Sequence, residues 1–160
     1  MPGKVHKFGD DINTDYIIAG KYKFSITDPK ELARHLFEDL IPNFYQKVAK
    51  GDFLVGGKNF GCGSSREQAP LAIKAAGISA VIAPTFARIF YRNAINLGLI
   101  LIEADTAQIK DLDLLEINLK KNKIKDITQD IEIEIKPLPA LMQEILDAGG
   151  AVEYFKKHRI

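Results

Sequence analysis

Cysteine is almost missing from this 160-residue chain, which has Cys62 and no other. A lone thiol makes no internal disulfide and cannot assemble a cysteine-rich metal or iron–sulfur site, which needs several thiolates. An excess of one charge is missing too: 22 Lys and Arg stand against 21 Asp and Glu, with no long basic block. That removes the electrostatic footprint of a nucleic-acid binder. No apolar run approaches the roughly 20 residues of a membrane-spanning helix, and residues 1–7 lack the apolar centre of a targeting segment. The chain is therefore expected to be cytoplasmic, with neither membrane nor nucleic acid as partner. Low-complexity stretches, repeats and linkers are absent as well, so residues 1–160 read as one domain, and 46% hydrophobic content suffices for a substantial core. The histidines, His6, His35 and His158, are scattered, and none is assigned to catalysis.

What is present is concentrated in Gly57-Lys58-Asn59-Phe60-Gly61-Cys62-Gly63-Ser64-Ser65-Arg66-Glu67-Gln68, a glycine-rich turn running into two hydroxyls, an arginine and a helix. Residues 52–55 before it read as a short buried strand. Ala69, Leu71, Ala72, Ala75 and Ala76 after it supply the apolar face of a helix ending at Gly77. Gly61 and Gly63 permit positive φ and close approach of a ligand to the main chain. Ser64 and Ser65 stand three residues before Glu67 and Gln68, which predicts a capping box, and the free amides of a helix start favour negative charge. Arg66 adds a planar donor fork matched to a carboxylate. Together these read as recognition of an organic acid. On spacing alone, the same residues are equally a plain turn and helix cap with a solvated arginine. Neither the Gly-Lys-Ser/Thr order of a phosphate loop nor the third glycine of a dinucleotide fingerprint is present, so nucleotide binding is a minor reading. Cys62 reads as a small loop residue without a chemical role.

The remainder predicts an α/β fold whose mixed sheet has a parallel core and an antiparallel meander. Asp28-Pro29 has the form of an N-cap and first helical residue, opening a helix through about residue 39 that buries Leu32, Ala33, Leu36 and Phe37 and is stopped by Pro42. Residues 80–83 predict a buried strand, 86–96 a helix closed by Gly98, and 99–102 another strand. Such alternation implies parallel pairing with right-handed crossovers. Residues 114–119, 123–127 and 131–135 alternate apolar and polar positions, with Lys121-Asn122 as a turn. Leu141, Ile145 and Leu146, then Val152, Tyr154 and Phe155, predict a helical C-terminal cap interrupted at Gly149-Gly150.

The segment from Gly57 to Glu67 resembles the signature of the 3-isopropylmalate dehydratase (isopropylmalate isomerase) small-subunit family, within the aconitase superfamily. Phe8-Gly9-Asp10-Asp11-Ile12-Asn13-Thr14-Asp15 resembles that family's N-terminal motif, and Ala87-Arg88-Ile89-Phe90-Tyr91-Arg92-Asn93-Ala94-Ile95-Asn96-Leu97-Gly98 its second helix region. Their order and gaps agree over nearly the whole chain. The resemblance implies the swivelling β/β/α architecture of aconitase's mobile C-terminal domain. It also implies a hydro-lyase that interconverts 2- and 3-isopropylmalate by dehydration and rehydration in leucine biosynthesis. With one cysteine here, the 4Fe–4S cluster of that chemistry would lie on a large subunit, where an iron acts on the departing hydroxyl. No cofactor or metal is expected on this chain.

By the same resemblance Ser64 occupies the position of the proton-abstracting alkoxide, with the Gly63 and Ser65 amides and Arg66 stabilising the bound dicarboxylate substrate and the developing charge. Asp15 matches a position near the active site, its other reading being a turn residue or helix cap. Asp10 and Asp11 read as exposed turn residues, since Asp-Asp-x-x-x-Asp lacks the spacing of a calcium loop. Arg88 and Arg92 share a helix face turned to substrate, partner or solvent. Tyr22-Lys23-Phe24-Ser25 corresponds to the family's substrate-discriminating segment, and Phe24 stands where homoaconitase-like members carry arginine. A phenylalanine packs on a branched hydrocarbon, at roughly 0.8 kcal/mol per buried methyl, and pairs with no carboxylate. Isopropylmalate is thereby favoured over homoaconitate or citrate, with Lys23 arguing the other way, and citramalate and dimethylmalate are also compatible. A different class of function, a stand-alone organic-acid-binding regulatory module, fits the turn as well. An isolated small subunit would self-associate through apolar surface left uncovered.

Overall fold

Segments apolar on both faces build the centre of the sheet. In the computed structural model, which describes residues 2–22 and 25–158, β2 (Phe53–Val55) and β3 (Ala80–Ala83) bury every residue and pair in parallel. They are flanked, also in parallel, by β1 (Gly3–Lys7) and β4 (Ile100–Glu103). β1 turns the sheet antiparallel by pairing with β5 (Leu114–Asn118), and β6 (Lys123–Asp126) and β7 (Ile131–Glu134) complete seven strands in the order β4-β3-β2-β1-β5-β6-β7. The parallel core and the meander both match the sequence pattern. β1, at their junction, has almost no such pattern: in Gly-Lys-Val-His-Lys only Val5 is aliphatic, and His6 is buried through a polar partner rather than by apolarity.

The sheet curls until its two edges touch. Ala104 bridges Ile135, and the Lys136 amide donates to the Glu103 carbonyl at 2.9 Å. Alternate residues of β2 therefore serve two cores, as a period of two requires. Phe53 and Val55 point into the curl with Val5, Ile82, Leu115 and Ile124, whereas Leu54 points outward to meet Leu36, Phe37, Ile73 and Phe90. The outer core is covered by α1 (Thr14–Ile17), α2 (Pro29–Ala33), α3 (Phe44–Lys47), α4 (Gln68–Ala75) and α5 (Arg88–Leu97). Two further helices, α6 (Ala140–Asp147) and α7 (Ala151–Lys157), break at Gly149-Gly150 as expected. No helix among the described residues is long and apolar enough to cross a membrane.

One helix is shorter than its pattern predicts. Asp28 caps α2 by accepting from the Lys30 amide at 3.2 Å, but the helix stops at Ala33 instead of running to about residue 39. Phe37 is the reason: at φ +53° it cannot continue a right-handed helix, and its amide donates to the Ile17 carbonyl at 2.9 Å. Leu32, Ala33, Leu36 and Phe37 are nonetheless all buried. Burial was legible there; the backbone path was not.

Candidate active site

The loops leaving the C-terminal ends of β1, β2 and β3 are laced together, the position where open α/β sheets bind ligands. The Gly61 amide donates to the Ile12 carbonyl at 2.7 Å, the Thr14 amide to the Cys62 carbonyl at 2.9 Å, and the Ala87 amide to the Phe60 carbonyl at 2.9 Å. Residues 8–15, 57–67 and 87–98, far apart in sequence, thus meet at one place. Asp10 and Asp11 are not idle turn residues. Asp10 accepts from the Lys58 amide at 2.7 Å and Asp11 from the Asn59 side chain at 3.1 Å, tying the first loop to the second.

Two glycines of the turn are sterically required. Gly61 lies at φ +86° with the Phe90 side chain where a Cβ would go, and Gly63 lies at φ +92° with the Asn13 Oδ1 only 2.6 Å from its Cβ position. Thr14 Oγ1 donates to the Ser64 carbonyl at 2.7 Å, so the Ser64 backbone is held while its side chain stays exposed. The capping box predicted from Ser64 and Ser65 does not form. α4 begins only at Gln68, its N-cap Glu67 makes no side-chain cap bond, and Pro70 fills a first-turn position where no amide is needed. The serine hydroxyls are therefore free of the helix, which removes the plain-cap reading of this turn. The Gly63, Ser64 and Ser65 amides donate to no acceptor among the described residues.

Arg66 is half-committed. Its Nη1 pairs with the Asp15 carboxylate and donates to the Ile18 carbonyl at 3.2 Å, with 13% of the Arg66 side chain exposed against 54% for Asp15. Nε is buried with no hydrogen-bond partner. An orphaned buried donor costs about 1–3 kcal/mol and calls for an explanation. Nε–H and the Nη2–H beside it point the same way, the geometry of a bidentate carboxylate fork. Ser64, Ser65, Arg66, Thr14, Ile89 and Phe90 line a cleft of about 80 Å³. Small-molecule pockets usually reach about 300 Å³ or more, so this is one wall of a site. Ile89 on that wall and Tyr16 beside Asp15 are exposed hydrophobics.

Residues 13–107 match the family model of the aconitase C-terminal domain. The chain belongs to the aconitase C-terminal domain family. It is 55% identical over 158 residues to the 3-isopropylmalate dehydratase small subunit 2 of Archaeoglobus fulgidus, covering 99% of this chain and 96% of that one. The methanogen homoaconitase small subunit of Methanocaldococcus jannaschii is 54% identical over 160 residues, covering 100% of this chain and 94% of the relative. The crystal structure of a 3-isopropylmalate dehydratase from the same organism superimposes with a TM-score of 0.95 at 54% identity, covering 99% and 94%. Relatives with two differently named substrates therefore lie at 55% and 54% identity. Overall likeness does not separate those substrates; a few side chains must.

In this aconitase-type domain the segment expected to discriminate between substrates, residues 22–25, is described only at its ends, since Lys23 and Phe24 lie outside the described residues. Ser25 Oγ donates to the Lys21 carbonyl at 3.2 Å. Tyr22 stacks on His35 with ring centroids 4.0 Å apart, its hydroxyl donates to Glu38 Oε1, and His35 Nδ1 lies 2.8 Å from Glu38 Oε2. The Glu38 hydrogen bond raises the Tyr22 hydroxyl above its ordinary pKa. Burial raises Glu38, but bonds from Tyr22 and His35 outweigh it and hold the carboxyl below its usual range. Nothing in the spacing of His35 and Glu38 announced this anchor. Asn13, which accepts from the Asp15 amide at 2.8 Å, was legible as an N-cap type before α1. Arg88 and Arg92 are exposed on α5. No cluster of three or more His, Cys, Asp or Glu able to hold a metal occurs among the described residues, and one cysteine does not fit an iron–sulfur cluster.

Proposed function

We propose that this chain is the small subunit of a hydro-lyase that interconverts 2- and 3-isopropylmalate through an unsaturated intermediate in leucine biosynthesis, a single swivelling domain acting in the cytoplasm against a large, cluster-bearing subunit. The observation that carries the reading is an exposed serine beside unpaired amides and a half-occupied arginine, on a wall of about 80 Å³ that encloses nothing by itself. The substrate carboxylate docks on the part of Arg66 that lines the cleft, while Asp15 holds Nη1 and fixes the plane of the fork. Ser64 Oγ, as the alkoxide, takes the proton from the carbon next to a carboxylate and becomes the hydroxyl, and the Gly63 and Ser65 amides lower the cost of the alkoxide's negative charge. Lewis-acid help to the leaving hydroxyl is left to the partner, since a single cysteine cannot hold a cluster.

Two other readings are weighed against this one. A homoaconitase small subunit fits the 54% identical relative and would rest on Lys23 meeting an extra carboxylate. A free-standing organic-acid-binding module fits poorly, because a cleft of about 80 Å³ cannot surround a dicarboxylate. The exposed Tyr16 and Ile89 side chains suit coverage by a large subunit, or by a second copy when that subunit is absent. Mixing the chain anaerobically with its large subunit and following alkene absorbance tests the proposal. Ser64→Ala is expected to lower kcat by about 10²–10⁴-fold with an unchanged melting temperature, since its side chain is exposed. Full activity in that variant would remove Ser64 from the reaction.

A further inference from the structure

A second cleft, of about 370 Å³, opens on the helix-covered side of β1, and none of the residues lining it belongs to the Gly57–Gln68 turn. Its volume falls within the range of roughly 300–1,000 Å³ typical of small-molecule sites. The apolar wall is rigid: Phe8 stacks on Phe37 at 4.2 Å and meets the Phe44 edge at 5.6 Å, with Ile41 alongside. The polar wall is built around His6, only 6% exposed, whose Nε2 lies 2.8 Å from Asp52 Oδ2. Asp52 also accepts from the Ala49 amide at 2.9 Å and the Lys4 amide at 3.3 Å. Burial raises the Asp52 carboxyl, but these bonds outweigh it and hold it below its ordinary range. A carboxylate only accepts, so Nε2 carries the proton of that bond, and Nδ1 of this cleft-lining ring has no protein partner among the described residues.

Charge selects the ligand. Lys4 and Lys47 both line the cleft, and neither is ion-paired among the described residues; Lys4 Nζ reaches only the Lys47 carbonyl, at 3.5 Å. Lys7 lines it too, with its ammonium turned to the Thr106 and Ile109 carbonyls. The single lining carboxylate, Asp111, accepts from the Lys7 amide at 2.9 Å. At the rim Leu112 is 60% exposed at φ +70°, a backbone conformation leucine rarely adopts. Two unpaired ammonium groups and an aromatic floor in one ligand-sized cleft suit an anion with a hydrocarbon body.

We propose that this cleft binds a small organic monocarboxylate with an apolar body, the carboxylate between the ammonium groups of Lys4 and Lys47 and the body on Phe8, Phe44 and Ile41, next to His6. The test uses the full chain with ¹⁵N-labelled histidine, whose ring resonances report His6 separately from His35 and His158. Titration with 3-methylbutanoate is expected to shift the His6 resonances saturably. Binding should weaken at least tenfold with 3-methylbutan-1-ol, which lacks the charge, with acetate, which lacks the body, and in the Lys4→Met/Lys47→Met double variant. Ser64→Ala should bind unchanged. An unmoved His6, equal affinity for acetate or the alcohol, equal affinity in the double variant, or loss of binding in Ser64→Ala would each overturn the proposal. The last outcome would place the ligand at the turn instead.

Discussion

Replacing Gly61 with alanine separates the steric demands of the turn from its chemistry. At φ +86° an alanine pays the left-handed penalty of about 1–2 kcal/mol, and its Cβ would land on the Phe90 side chain. Phe90 cannot swing aside: it is 2% exposed and packs edge-on against Phe60 at 5.5 Å and alongside Phe86 at 6.4 Å. Overpacking of this kind costs a further 1–3 kcal/mol or so, giving a total of about 2–5 kcal/mol. At about 2–4 °C per kcal/mol for a chain of this size, the melting temperature should fall by somewhere between 4 and 20 °C or so. Gly63→Ala is the control. Its φ is +92°, but its new Cβ would meet Asn13, a partly exposed side chain that can yield, so the loss should be smaller. Adding Phe90→Leu to Gly61→Ala should not restore the loss, because leucine keeps the Cβ and Cγ that the new methyl would strike. Equal melting temperatures for wild type and Gly61→Ala, or a larger drop for Gly63→Ala, would refute this account of the turn.

Three further outcomes are expected. Asp126 and Asp113 form a buried pair bridged by Gln129; burial and the Asp113 bond raise Asp126, while bonds from Asp126, the Lys110 amide and Gln129 outweigh burial and lower Asp113. A raised folded pKa gives stability that is present in acid and lost as pH rises through it, so Asp126→Asn should gain stability relative to wild type above the ordinary carboxylate range; urea unfolding showing no such crossover would count against a shared proton. Asp15→Asn should raise KM about tenfold by loosening the Arg66 fork, while stability should fall by only about 1 kcal/mol, because the asparagine oxygen can still accept from Nη1 at this half-exposed pair; an unchanged KM would free Asp15 of that role. Phe24→Arg should shift preference toward tricarboxylic substrates, and identical kcat/KM ratios before and after would clear the segment of discrimination.

Where the signal was a local periodicity, the fold could be read in advance: β2, β3 and β4, the meander and the glycine break between α6 and α7 all follow from apolar spacing and turn residues. Features that depend on distant partners could not. β1 is a strand because β2 and β5 offer it hydrogen bonds on both sides, and α2 ends early because Phe37 gives its amide to Ile17. The same divide runs through the candidate site. Residue types in the turn pointed to an organic acid, yet the serines are released from capping only because Pro70 lets α4 start late, and the orphaned Arg66 Nε appears only once Asp15 and Ile18 take the other nitrogen.

The meeting of Ala104 with Ile135 has a consequence for solubility. Outermost strands normally advertise unsatisfied amides and carbonyls to any passing polypeptide, the first step toward fibrils or exchanged strands. Here the two margins partly consume each other, and on β7 the alternating Glu132 and Glu134 are exposed, placing like charges along what remains. A newcomer strand would meet that repulsion along the backbone left vacant on β7.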